Sequence, residues 1–487
     1  GITAGRIVAM GNLSNADARR VIDATGLYVA PGFIDVHTHA ANGLATPGLS
    51  AGRPLLAEGV TTIVGNPDGE GPVDLAAQRK ALLADGLGVN IALMVPHGSV
   101  REVVMGMDDR DPTPAELDRM RALVRAGMED GAFGMSSGPW YAPGSFSKTE
   151  ELVALSRVAA TYGGTYSSHI RDEADYNVGL VAALDEVIRI AREARITAVA
   201  THLKALGPRV WGFSGVLINH IERARDEGLE VFADQYPYIA SATNLKNSLV
   251  PRWALAGGDT AMFRRFDDPA EGPRLRAGPG CPPWRRGGAD RLQFRRYRPD
   301  PSIEGHTLLW AAQRDGRPPL DEAVALMRKG TASVVSFNMD EGDVEALMRQ
   351  SWMMTSSDGD LVPMGVGVPH PRTYGTHPRK IREYVLKRHV IDLPTAIRSM
   401  TSLPATVFHM SDRGVLRAGA IADVVVFDLA RINDPATYQE PHQLAEGMVY
   451  VLVDGQFAID QRVFTKTLHG TVLSGRGSTR GTGTGAR

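Results

Sequence analysis

Pro31-Gly-Phe-Ile-Asp-Val-His-Thr-His39 is the stretch that decides the reading. Phe33 to Val36 is a short apolar run with the look of a buried strand, and it ends in two histidines one residue apart. Side chains alternate along a strand, so His37 and His39 face the same way, roughly 6–7 Å apart. Two imidazoles so placed can grip one metal ion at the C-terminal end of a strand. An isolated His-x-His also fits a solvated strand face. A buried strand running straight into the pair suits the mouth of a barrel better.

Outward from this pair the chain alternates strand and helix. Candidate strands are 33–38, 60–65, 90–96, 131–136, 164–169, 196–202, 229–234, 332–337 and 352–357. Thr113-Pro-Ala-Glu116 is a capping box with proline at the first helical position, and Ser147-Lys-Thr-Glu150 has the same pattern. Residues 178–194 and 215–227 are amphipathic at helical spacing. About eight such βα units predict an α/β fold, a (β/α)8 TIM barrel, over residues 31–404. Nine candidate strands are one too many, so one is accessory. Short β segments before residue 30 (6–10, 20–23, 27–30) and strand-rich runs at 419–428 and 449–455 predict a small β-sandwich built from both chain ends, 1–30 and 405–475. Residues 245–305 break the rhythm, with ten arginines and four acids between Arg264 and Arg298 and many Gly and Pro. This is an expected lid insertion. The Gly-, Ser-, Thr- and Arg-rich end, 476–487, is expected to be disordered.

The chain has 487 residues, 43% hydrophobic and 22% charged, with a net charge of −2. That is an ordinary globular composition, with no general attraction to nucleic acid or an anionic membrane. Cys281 is the single cysteine, so no intrachain disulfide forms. No apolar run is long enough to span a bilayer and no secretory signal is visible, so a cytoplasmic location is expected.

Polar groups stand at four strand ends: His37 and His39; His169 in Tyr166-Ser-Ser-His169; His202 in Ala198-Val-Ala-Thr-His202; and Asp358 in Met354-Thr-Ser-Ser-Asp358. Singly, His169 or His202 reads as a structural histidine. Together they form a specific pattern, because zinc takes imidazole and carboxylate ligands and keeps a position open for water when it is catalytic. Such a metal lowers the pKa of its water to about 7 and polarises a carbonyl. A carboxylate at Asp358 is placed to take the proton and pass it to a leaving nitrogen. Lys204 lies two residues past His202, on the same strand face, as a cation for a substrate carboxylate or as a surface lysine.

These motifs resemble the amidohydrolase superfamily and, within it, the N-acyl-D-amino-acid deacylases (D-aminoacylases). The resemblance rests on Ala30–His39, Glu58–Asn66, Ser168–Glu173, His202-Leu-Lys204, Tyr236-Pro-Tyr238, Ser357-Asp-Gly359, His370-Pro-Arg372 and the Gly419–Asp428 run. It implies a zinc-dependent hydrolase, with one or two ions, that cleaves N-acyl-D-amino acids to a carboxylate and a D-amino acid. It implies that His37, His39, His169, His202 and Asp358 are ligands, with Asp358 also the general acid/base. It places substrate-carboxylate recognition on Lys204 and Tyr236, with Arg171 and Arg372 as further candidates. Two departures stand out. Family members usually have a cysteine ligand after the Gly-Asn of the second strand; here Pro67 stands there, which offers no donor atom. Asp68 or Glu70 provides a carboxylate instead, or the segment is a plain Pro-Asp-Gly turn, so the bridging ligand is unassigned. The family's serine after Tyr-Pro-Tyr is Ala242 here, flanked by Ser241 and Thr243. The rival readings are a hydantoinase- or dihydroorotase-like enzyme acting on cyclic amides, which the absence of a strand-four lysine argues against, and a non-catalytic relative.

Overall fold

The computed structural model describes residues 1–277 and 286–479. Eight parallel strands build the barrel: β1 (Phe33–Asp35), β2 (Val60–Gly65), β3 (Asn90–Leu93, continued by Val95–Pro96), β4 (Gly134–Ser137), β5 (Thr165–Ser168), β6 (Thr197–Ala200), β7 (Val231–Gln235) and β8 (Met353–Thr355). They pair in sequence from β1 to β8. The ring closes where Asp358 N donates to His37 O (2.8 Å) and His39 N donates to Gly359 O (2.8 Å). Nearly every strand residue is buried on both faces, which is why these runs are continuously apolar or small rather than alternating.

Helices cover the barrel. The box at Thr113 forms as read: its hydroxyl caps Glu116 N, and Glu116 Oε2 accepts from Thr113 N at 2.8 Å. The Ser147 pattern does not form a box. Ser147 Oγ donates to Gly144 O (2.7 Å), closing a tight turn, and the helix begins at Thr149.

The surplus strand is 332–337. Ser333–Ser336 pairs antiparallel with Ser241–Asn244 and with Leu292–Arg296, outside the barrel. This small sheet has its own core, including Leu245, Leu292, Phe294, Leu308 and Val334. The inserted unit therefore extends past 245–305. Its helices Leu308–Asp315 and Pro319–Lys329, followed by a strand, have the same local pattern as a barrel βα unit and differ only in their partners. Cys281 and the Gly278–Pro283 run lie outside the described residues.

Both chain ends meet in one sheet, as expected. Tyr28–Pro31 pairs with Val424–Phe427, which continues to Met448–Val453, Gln456–Asp460 and Val463–Phe464. Residues 20–23, read as a strand, form none; Arg20 instead pairs with Asp460 at 2.7 Å. Past this sheet the chain runs back along the barrel. Gly475 N donates to Gly131 O (3.0 Å) and Thr479 N to Glu129 O (3.1 Å), while Arg79 holds the carbonyls of Val472 (2.6 Å) and Leu473 (2.8 Å). Residues 480–487 lie outside the described residues.

Candidate metal centre

All five predicted ligands converge at the C-terminal end of the barrel. His37 and His39 follow β1, His169 follows β5, His202 follows β6 and Asp358 follows β8. Asp358 Oδ1 is 3.7 Å from His37 Nε2 and 3.3 Å from His39 Nε2. His169 Nδ1 lies 2.9 Å from His202 Nε2.

Between these two groups sits the carboxylate that the sequence left open. Asp68 Oδ1 is 3.4 Å from His37 Nε2, 3.5 Å from His202 Nε2 and 3.9 Å from His169 Nδ1; Oδ2 is 3.5 Å from His39 Nε2. Local geometry drives it inward. Asn66 and Asp68 both adopt the left-handed region (φ 58° and 57°), which Asn and Asp tolerate better than most residues. Ser136 on β4 fastens the turn, donating to Asn66 O (2.6 Å) and accepting from Gly69 N (3.2 Å). A Cβ at Gly138 would lie 2.2 Å from Asp68 O, so only glycine there lets the turn approach. His202 (φ 35°) and Asp358 (φ 49°) are also left-handed. Such strain gathers where surrounding structure dictates side-chain direction.

Glu70 is not part of the cluster's short contacts. Glu173, four residues past His169, is. Its Oε1 is 3.1 Å from His202 Nδ1 and it forms an ion pair with Lys204. Lys204 Nζ also lies 2.8 Å from His202 Nδ1 and donates to His202 O at 2.7 Å. Lys204 is thus a buried member of the His202 support as well as a lining residue of the cavity. Asp35 ties β1 to β8, accepting from His37 N (3.2 Å) and Ser357 N (2.9 Å). Arg372 Nη1 lies 2.8 Å from Asp358 Oδ2, and its guanidinium stacks over Tyr236 at 4.6 Å. Arg171 is placed elsewhere: it makes a bidentate pair with Glu186, both bonds 2.8 Å. Trp140 and Tyr141 cover His169, with ring centroids 5.7 and 4.8 Å away. Sequence reasoning passed over both aromatics, which sit in an irregular loop with no motif.

The cluster's two carboxylates stay ionised among the imidazoles. Burial opposes ionisation of Asp68, but His37, His202 and His39 outweigh it and hold its carboxyl well below the usual range. Burial likewise opposes charge on Asp358, and Arg372 outweighs it. Burial pushes His169 down to about 3, so it stands as a neutral, lone-pair-bearing imidazole. His37 Nδ1 and Nε2, Asp68 Oδ1 and His169 Nε2 are buried without a hydrogen bond among the described residues. His37 Nε2 and Asp68 Oδ1, 3.4 Å apart and neither hydrogen-bonded among the described residues, are unsatisfied unless a cation lies between them. Imidazole nitrogens and carboxylate oxygens are zinc donors, so the residues fit that ion.

A parallel barrel with a histidine–carboxylate cluster at its C-terminal mouth is the architecture of a metal-dependent hydrolase. Residues 20–262 and 310–459 match the profile described as "Amidohydrolase family", and the chain belongs to that family, on its D-aminoacylase branch. It is 34% identical to D-aminoacylase of Alcaligenes xylosoxydans xylosoxydans, covering 97% of this chain and 93% of that one. It is 34% identical to the same organism's N-acyl-D-glutamate deacylase, covering 93% and 88%. Among solved structures, N-acyl-D-glutamate deacylase from Bordetella bronchiseptica, complexed with zinc and a phosphonate inhibitor, superposes with a TM-score of 0.83 at 33% identity, covering 97% and 94%. A D-hydantoinase shares the fold alone, at 16% identity and a TM-score of 0.57, covering 97% and 94%.

Proposed function

We propose that this protein hydrolyses the amide bond of N-acyl-D-amino acids, yielding a carboxylate and a D-amino acid, with zinc held by His37, His39, Asp68, His169, His202 and Asp358. The observation that carries this reading is the meeting of four imidazoles and two carboxylates at one buried point, in a chain aligned nearly end to end with deacylases. Bound there, zinc supplies Lewis acidity toward the acyl carbonyl and lowers the pKa of water. The rest falls to the protein's own groups. Asp358 takes a proton from the attacking water on its carboxylate and delivers it to the departing amide nitrogen. Arg372 keeps Asp358 ionised and aimed. Glu173 and Lys204 orient the His202 ring through Nδ1, the role that carboxylate neighbours play for metal-binding histidines. Tyr236 forms the wall beneath Arg372, and Trp140 and Tyr141 exclude bulk water. Arg171, committed to Glu186, stabilises the loop after β5. The substrate is a small molecule; no helix among the described residues is long and apolar enough to cross a membrane. The lone cysteine supports a reducing, cytoplasmic setting.

The test is a panel of N-acetyl-D- and N-acetyl-L-amino acids beside hydantoin and dihydrouracil, run with metal content measured on the same sample. Release of D-amino acid that stops on chelation and returns with zinc is expected. Turnover of the cyclic amides alone, or full zinc occupancy with no turnover of anything in the panel, would overturn the proposal.

A further inference from the structure

One carboxylate of the cluster has no basic side chain to balance it. Glu173 pairs with Lys204 and Asp358 with Arg372. Asp68 is 5% exposed, and no lysine or arginine pairs with it among the described residues; its charged-group neighbours are the four imidazoles. Its two oxygens divide the cluster between them. Oδ1 faces His37, His202 and His169, and Oδ2 faces His39. The turn that carries it offers the cluster no other donor. Asn66 exchanges two 2.8 Å hydrogen bonds with Gln78 and donates to Met94 O (3.1 Å), so its amide is committed elsewhere. Pro67 and Gly69 have no donor atom on their side chains.

The donors that meet here are therefore nitrogen and oxygen alone: four imidazoles, Asp68, Asp358 and, 3.8 Å from His169 Nε2, Glu173. No thiol is present among the described residues, and the chain's one cysteine is Cys281. Softness then decides which ions gain. A thiolate favours zinc and softer ions, whereas a carboxylate suits harder ones such as manganese. A buried acid without a basic partner adds to this, because its charge is balanced only by the ion itself. We infer that Asp68 sets the metal preference of this centre, opening it to hard divalent ions of the manganese(II) class beside zinc and disfavouring soft ions such as cadmium(II). Zinc stays the tighter ion in absolute terms, since divalent ions at nitrogen and oxygen sites follow an order in which zinc exceeds manganese. What Asp68 changes is the gap between them. The inference rests on the metal-centre reading above and is independent of which amide is cleaved.

The experiment equilibrates the full chain with manganese(II), zinc(II) or cadmium(II) against a chelator of known affinity, in wild type, Asp68→Cys, Asp68→Asn and Cys281→Ala. Free manganese is counted by its paramagnetic resonance signal, so the readout needs no turnover. In D68C the ratio of zinc to manganese affinity should widen by about tenfold, a part of the ~100-fold or more that a whole ligand is worth. Cadmium should gain on zinc in the same variant and show a thiolate ultraviolet band that wild type lacks. D68N, which keeps the side chain's shape and loses its charge, should also widen the zinc-to-manganese ratio, because a neutral amide oxygen serves the harder ion less well; this arm stands if D68C fails to fold. C281A should match wild type with all three ions. A zinc-to-manganese ratio unchanged in both Asp68 variants would overturn the inference, as would a cadmium–thiolate band in wild type that C281A removes. X-ray absorption of the zinc-loaded wild type should show nitrogen and oxygen neighbours at ~2.0–2.2 Å, and a sulfur shell at ~2.3 Å would refute the donor set. A protein that ranks the ions as expected yet hydrolyses no N-acyl-D-amino acid would refute the proposed activity and leave this inference standing.

Discussion

Replacing Asp68 with asparagine tests the centre of the site most directly. Asparagine keeps the size of the side chain and tolerates the left-handed backbone at φ 57°, so the turn should survive. What goes is the one negative charge that faces all four imidazoles, at 3.4, 3.5, 3.5 and 3.9 Å. Structural zinc sites with four ligands bind with an apparent ~10–16 kcal/mol, or about 2.5–4 kcal/mol per ligand. Loss of one ligand then weakens binding by about 100- to 1000-fold. An amide oxygen retains some donor capacity, which places D68N near the lower end. The assay is zinc stoichiometry after dialysis against a chelator of known affinity, repeated on Asp68→Cys. The thiolate of D68C should restore binding and add a sulfur-to-metal charge-transfer band in the cobalt-substituted protein, absent from wild type. If D68N holds zinc as tightly as wild type, Asp68 is a turn residue and the cluster has been misread.

Asp358→Asn should lower kcat by about 10²- to 10⁴-fold, the range for loss of a general acid/base, measured in steady state with zinc content normalised; a loss under tenfold would place proton transfer on another group. Arg171→Gln breaks a pair whose side chains are 11% and 10% exposed, so unfolding free energy should drop by about 3 kcal/mol while KM stays within about twofold; a tenfold rise in KM at full stability would return Arg171 to the substrate site. Lys380 is buried, donates to Thr355 Oγ1 (2.7 Å) and Ser399 Oγ (2.9 Å), and burial pushes its pKa down to about 7. Between that value and its unfolded pKa the unfolded chain holds a proton that the folded one has released, so stability rises with pH there. Relative to Lys380→Met, wild type should gain roughly 2–3 kcal/mol from pH 7 to pH 9 in denaturant unfolding; parallel pH dependences in the two proteins would show that Lys380 stays charged in the fold.

The barrel was legible because its strands announce themselves locally. Phe33–Asp35, Thr165–Ser168 and Thr197–Ala200 are short, small or apolar, and followed by histidine within a few residues. Ser333–Ser336 has the same local character and was counted with them, because pairing partners are not a local property. Arg171 and Arg372 were equal candidates on paper; the difference between them is that Glu186 lies within reach of one and Asp358 of the other.

By itself the sequence determined the alternating α/β architecture, the histidines and aspartate proposed as donors and the strand ends that carry them, since these depend on periodicity and residue chemistry along a few consecutive positions. Only the tertiary structure decided that Asp68 rather than Glu70 enters the cluster, that Lys204 is tied to Glu173, and that Arg372 rather than Arg171 reaches Asp358. The physical reason is that coordination and charge compensation depend on distances of a few ångströms between residues tens to hundreds of positions apart, and closure of the barrel sets those distances.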